Sequence, residues 1–156
     1  MIATIGSGGK TTTLQSIARR QAARAVCVVF TTTKMGVDQL EFADRHLCSF
    51  KELREEVEQS TAAFLERNLG KVIAVYDPVS PGQHKIQTTL DEADVQFILQ
   101  MRSDPVLERK VLFVYEADGS KQLPLKYYVN TDPVFLPGTT KIYACVGFRS
   151  LGQPLE

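Results

Sequence analysis

Lys10, Thr11 and Thr12 stand directly after the small-residue run Gly6-Ser7-Gly8-Gly9, and that order of residue types is suited to gripping phosphate. Small residues let backbone N–H groups close around phosphate oxygens, a lysine reaches the terminal phosphates, and a hydroxyl can ligate Mg²⁺. The full phosphate-loop consensus has a further glycine five residues before Gly9, where this chain has Thr4. The match is thus to a shortened loop, and an ordinary turn with a helix cap is the competing reading.

A second group with chemical potential is Glu116-Ala117-Asp118-Gly119-Ser120, which ends the apolar run Val111-Leu112-Phe113-Val114-Tyr115. A carboxylate at such a point meets a metal across from a phosphate loop, and Mg²⁺ takes one or two carboxylates besides phosphate oxygens and water. Spacing alone does not choose between Glu116 and Asp118, and a tight turn at Asp118-Gly119 would serve structure only. A third group is Thr31-Thr32-Thr33-Lys34. Its hydroxyls and Thr33-Lys34 suit a water-mediated contact to Mg²⁺ or the γ-phosphate, and equally suit β-branched strand residues that satisfy exposed backbone. Arg102 and Arg109 are cations of the type that phosphoryl transfer uses, though nothing in their spacing requires it. His46 and His84 read as solvated surface residues.

These groups need elements to hold them. Residues 1–5 read as a strand, and Leu14, Ile17, Ala18, Gln21 and Ala22 have helical spacing over residues 12–24. The glycine loop then joins a strand to a helix whose N-terminal amides face what the loop encloses. Apolar runs at 25–31, 72–76, 111–116 and 141–146 read as strands covered on both faces. Ser49 with Glu52 is a capping-box signature for a helix that ends at Gly70 and carries Phe50, Leu53, Val57, Phe64 and Leu65. Another helix spans about 91–102, and residues 77–83 read as one long loop.

The alternation predicts an α/β fold with a mainly parallel sheet flanked by helices, a P-loop NTPase-like three-layer sandwich, with ligands at the carboxyl ends of the strands. At 156 residues with 44% hydrophobic content, residues 1–156 fit a single nucleotide-binding domain. A net charge of zero with no long basic run argues against nucleic acid as partner. With no 18-residue apolar stretch and Met1 abutting the first strand, no membrane span or targeting segment is expected, and the cytoplasm is the expected location. Cys27, Cys48 and Cys145 have no metal or redox spacing, and Cys27 and Cys145 read as small core residues.

The ordered blocks Gly6 to Thr12, Thr31 to Met35, Glu116 to Ser120, Pro124-Leu125-Lys126, Asp132 to Pro137 and Gly152-Gln153-Pro154-Leu155 resemble the selenium-dependent hydroxylase accessory proteins, the YqeC family. Asp132 stands where that pattern has glutamate, Thr131 where histidine is common, and Gln153 where it has lysine. The resemblance implies a P-loop protein that binds ATP or GTP with Mg²⁺ and serves a molybdenum hydroxylase or its cofactor machinery. Members of that family usually run on beyond the Gly-x-Pro-Leu block, so this sequence, which stops at Glu156, is expected to be either a short form lacking a C-terminal extension or an incomplete one. The Glu-Ala-Asp-Gly-Ser block further resembles the strand-end segment of Mur-type ligases, which implies that Thr11 and Glu116 share a magnesium ion.

Taken together, the expected function is a Mg²⁺-dependent nucleoside triphosphate-binding protein with slow NTPase activity. It would assist maturation or cofactor insertion of a selenium-dependent molybdenum hydroxylase. Lys10 would neutralise β/γ oxygens, the Gly6 to Gly9 amides would donate to the phosphates, and Thr11 with Glu116 or Asp118 would hold the metal. The alternatives are a small-molecule P-loop kinase and a non-hydrolysing nucleotide switch. Adenine and guanine are not distinguished, since Gly36 stands where a guanine-reading motif after Thr33-Lys34 would place its acid.

Overall fold

The computed structural model describes residues 1–119, 128 and 132–147. Six strands form one sheet in the order β4-β5-β2-β7-β1-β8. They are β1 (Ile2–Ser7), β2 (Val26–Thr31), β4 (Arg45–Leu47), β5 (Val72–Val75), β7 (Val111–Glu116) and β8 (Lys141–Val146). Every neighbouring pair is parallel. A separate antiparallel ribbon pairs β3 (Met35–Gly36) with β6 (Lys85–Ile86).

Side-chain alternation divides the sheet into two buried faces. On one, Cys27, Val29, Val72, Ala74 and Val114 pack with Leu14, Ala18 and Ala22 of α1 (Lys10–Ala22), and with Met35, Leu40 and Ile86. The other presents Val26, Val28, Phe30, Ile73, Phe113 and Tyr115. It is covered from α2 (Phe50–Gln59), α3 (Thr61–Asn68), α4 (Glu92–Ser103) and α5 (Leu107–Lys110) by residues such as Phe50, Leu53, Phe64, Ile98 and Leu107. Phe30 lies edge-on to Phe50 and stacks on Tyr115, at centroid distances of 5.0 and 5.1 Å. The result is a three-layer sandwich, as the sequence predicts, with a main sheet that is parallel throughout.

Four local expectations need correction. The strand continues through Gly6 and Ser7, and α1 opens at Lys10 rather than Thr12. The helix expected from Ser49 to Gly70 is two helices, because Ser60 is extended (φ −165°) and its hydroxyl accepts from the Ala63 amide, capping α3. Ser49 caps α2 as predicted, accepting from the Glu52 amide, while Glu52 accepts from the Cys48 amide. Strand β8 is an edge: Ile142 is 49% and Val146 63% exposed, so it is not covered on both faces. His46 and His84 are exposed as expected, with His46 beside the Tyr76 hydroxyl at 3.3 Å.

Cys27 is buried in the core, and burial pushes its thiol up to about 12. Arg45 of β4 makes two bonds to the Glu56 carboxylate, at 3.1 and 2.7 Å, and this hydrogen bonding holds Glu56 below the usual carboxylate range. A depressed carboxylate adds stability above its unfolded value, and the contribution disappears as pH falls through the folded value. Glu56→Gln is therefore expected to cost about 1 kcal/mol at pH 7, a modest figure for a partly exposed pair. Urea midpoints of the two proteins should draw together as pH falls below the usual glutamate range, and a difference that does not shrink there would contradict this account.

Candidate functional site

Strand β1 hands over to α1 through two residues, Gly8 (φ +77°) and Gly9 (φ +81°). Successive left-handed conformations suit glycine, which has no Cβ to clash. Gly9 is the N-cap and provides no side-chain cap, and the first turn of α1 holds no acidic residue. Helix geometry leaves the amides of Lys10, Thr11 and Thr12 without intrahelical acceptors, so the positive end of a 13-residue helix opens here uncapped.

Lys10 is only 4% exposed and lies across the carboxyl end of β7. Its Nζ is 2.6 Å from Asp118 Oδ1 and 3.4 Å from Glu116 Oε1, and it donates to the Asp118 carbonyl oxygen at 3.0 Å. Asp118 is fully buried, and its Oδ2 accepts from the Gly6 amide at 2.8 Å. Asp118 thus ties the end of β1 to the segment after β7 and orients the lysine. Tyr128 lies beside it: burial, then the Asp118 carboxylate and a hydrogen bond to it, push the Tyr128 phenol up to about 12.

These groups open on a cleft of about 660 Å³. One wall is the residue 8–12 segment, and Glu116, Gly119 and Asp132 form another part of the lining. Thr33, Lys34, Met35 and Gly36, with Gln39 and Lys85, complete the lining. Of the sequence candidates, Gly8, Gly9, Lys10, Thr11, Thr12, Thr33, Lys34 and Glu116 line the cleft. Gly6, Ser7 and Asp118 lie behind it: Gly6 and Ser7 pair with β8, and Asp118 is the buried tie. This arrangement separates the two carboxylates that spacing could not, since Glu116 faces the cleft and Asp118 does not line it.

The threonine run is divided as well. The hydroxyls of Thr31 and Thr32 lie 3.4 and 3.3 Å from the Glu116 carbonyl oxygen, which they bond, and the Thr32 amide donates to the same oxygen at 3.1 Å. Those two residues fasten β2 to β7, while Thr33 reaches the cleft. Arg102 donates to the Gly138 carbonyl oxygen, Arg109 lies on α5, and neither lines the cleft. Lys85 and Gln39 are additions that motif reading missed, and Asp132, read there only as part of a family block, joins them. Lys85 sits on a two-residue strand, too short to show a period, and Asp132 is brought in by tertiary folding. Ser120, Pro124-Leu125-Lys126, Thr131 and Gly152 to Leu155 lie outside the described residues.

Among the described residues no group of three or more histidine, cysteine or acidic side chains is set to hold a metal ion. Such a set is not what Mg²⁺ on a nucleotide needs, because phosphate oxygens and water complete its shell. Thr11 and Glu116 line the cleft together, so the residues present fit that mode of binding. No helix among the described residues is long and apolar enough to cross a membrane.

Searches for similar curated proteins and for similar solved structures gave no match. The family model described as "YqeC protein" matches residues 2–156, nearly the whole sequence, and the chain accordingly belongs to the YqeC family.

Proposed function

We propose that the cleft binds a Mg²⁺-bound nucleoside triphosphate, ATP or GTP, and that the protein uses slow hydrolysis of it to assist maturation of a selenium-dependent molybdenum hydroxylase. The observation that carries the binding is the uncapped start of α1, which opens on the cleft beside Lys10 and the Glu116 carboxylate. Oriented amides and a helix N-terminus favour an anion without the need to reorganise. Lys10 contacts the β/γ oxygens, and Thr11 with Glu116 would hold the metal, which when bound supplies charge neutralisation of the phosphates. Asp118 fixes the lysine head and stays behind it. Because Lys10 shares its charge with two carboxylates, its pull on the phosphates is moderated, in keeping with slow turnover. The partner assignment rests on membership of the family.

Thr12→Glu separates binding from folding. The side chain is exposed, lines the cleft and lies in the first turn, where a negative charge favours the helix dipole but repels phosphate. The variant is expected to keep or slightly raise the melting temperature while binding Mg-ATP and Mg-GTP at least about tenfold more weakly, near 1.4 kcal/mol. Calorimetric titration decides it. Equal affinity in the two proteins, or no binding by the unaltered one, would overturn the proposal.

A further inference from the structure

Strands β3 and β6 form a two-rung ladder, Met35 opposite Ile86 and Gly36 opposite Lys85, that shares the cleft with Glu116 at the carboxyl end of β7. Met35 and Ile86 are 3% and 2% exposed and belong to the core on the α1 side. Side chains alternate along a strand, so Lys34, Gly36 and Lys85 share the opposite face of this ribbon, and all three line the cleft. A Cβ at Gly36 would meet the Asp38 carboxylate, so the glycine makes room for that acid beside the ribbon.

The ribbon is pinned at both feet. Thr88 holds the Thr31 backbone twice, its amide donating to the Thr31 carbonyl at 2.9 Å and its side-chain hydroxyl accepting from the Thr31 amide at 3.3 Å. The same hydroxyl donates to the Val75 carbonyl oxygen at 2.8 Å. On the other leg the Thr32 amide is held by Glu116, and the Val37 amide donates to the His84 carbonyl oxygen at 3.1 Å. Two lysines 51 positions apart in sequence are thus brought to the same cleft as the loop. Among the described residues neither makes an ion pair, whereas Lys10 is offset by two acids.

Charge counting says what this wall is for. A triphosphate carries about four negative charges near neutral pH, and a divalent ion with Lys10, Glu116, Asp118 and Asp132 brings a net of about zero to it. The end of the triphosphate that projects past the loop needs further cations. We infer that the β3–β6 ribbon is a clamp for the terminal phosphate, with Lys85 and Lys34 as its contacts, so that the cleft distinguishes nucleoside triphosphate from diphosphate. Lys85 thereby takes the place of the cation for which Arg102 and Arg109 are not positioned. This inference rests on the nucleotide reading of the cleft.

The test is calorimetric titration of the full chain and of Lys34→Ala/Lys85→Ala with Mg-ATP, Mg-ADP, Mg-GTP and Mg-GDP. Both lysines are exposed, so the melting temperature should be unchanged. The unaltered protein is expected to prefer triphosphate over diphosphate by at least about tenfold, and the double variant to bind both with the diphosphate affinity. Lys85→Arg should retain most of the preference. Equal affinity of the unaltered protein for both forms, or a preference that survives in the double variant, would overturn the clamp while leaving the nucleotide site in place. Failure of the unaltered protein to bind any of the four would overturn the nucleotide reading and the clamp with it.

Discussion

Replacing Lys10 by methionine is expected to abolish nucleotide binding and, at the same time, to lower stability by about 3–5 kcal/mol, the usual cost of breaking a buried ion pair from one side. The reason is the burial of the group: the lysine side chain is 5% exposed and faces carboxylates that are 6% and 0% exposed. Methionine keeps the length and apolar stem, so the change isolates the charge. For a domain of this size the loss corresponds to a fall in melting temperature of roughly 10 °C. Lys10→Met/Asp118→Asn should regain part of the stability, since the amide oxygen still accepts from Gly6, yet it should not regain binding. A Lys10→Met protein that melts with the unaltered one would contradict the buried-pair account. One that binds Mg-ATP or Mg-GTP normally would contradict the proposed role of the lysine.

Gly6→Val is expected to be more damaging to the fold than any substitution elsewhere in the loop. Gly6 has φ +109°, and a Cβ there would overlap the Cys145 carbonyl oxygen of β8, a backbone atom that no rotamer change can move aside. The β1–β8 ladder would have to part along the register Gly6 to Cys145 and Ser7 to Val146. A loss above about 4 kcal/mol is expected, in the range reserved for backbone strain combined with overpacking. Gly9→Ala is the contrast, because a Cβ at Gly9 meets nothing within 4 Å and only its φ of +81° opposes the change. That variant should lose about 1 kcal/mol. Denaturant midpoints that place the two variants together would show that close approach of β8 is not what Gly6 serves.

Much of this arrangement was legible in the chain. The strand, glycine loop and helix at the start follow from residue type and spacing, and α1 buries Leu14, Ala18 and Ala22 along one stripe as its periodicity predicts. Runs such as Val26 to Thr31 are buried throughout, which is what unbroken hydrophobicity implies in a parallel sheet. The break at Ser60 was not legible because no glycine or proline marks it, and a serine that both ends one helix and caps the next leaves a continuous apolar pattern on either side. Strands β3, β4 and β6 have two or three residues and are shorter than any detectable period. That Glu116 lines the cleft while Asp118 does not depends on the path of the chain after β7, which spacing does not show. Asp118 instead accepts from the Gly6 amide. Lys85 enters the cleft through pairing with a strand about 50 residues earlier, information that no local window holds.

The central claim is that backbone amides at the start of α1, with Lys10, receive the phosphates of a nucleotide. Its most direct measurement is the backbone amide NMR spectrum of ¹⁵N-labelled protein titrated with Mg-ATP and with Mg-GTP. The account predicts that the amides of Gly8, Gly9, Lys10, Thr11 and Thr12 shift most, in a saturable manner, with Lys34 and Lys85 following. Saturable shifts confined to other parts of the molecule, or none at millimolar nucleotide, would contradict it.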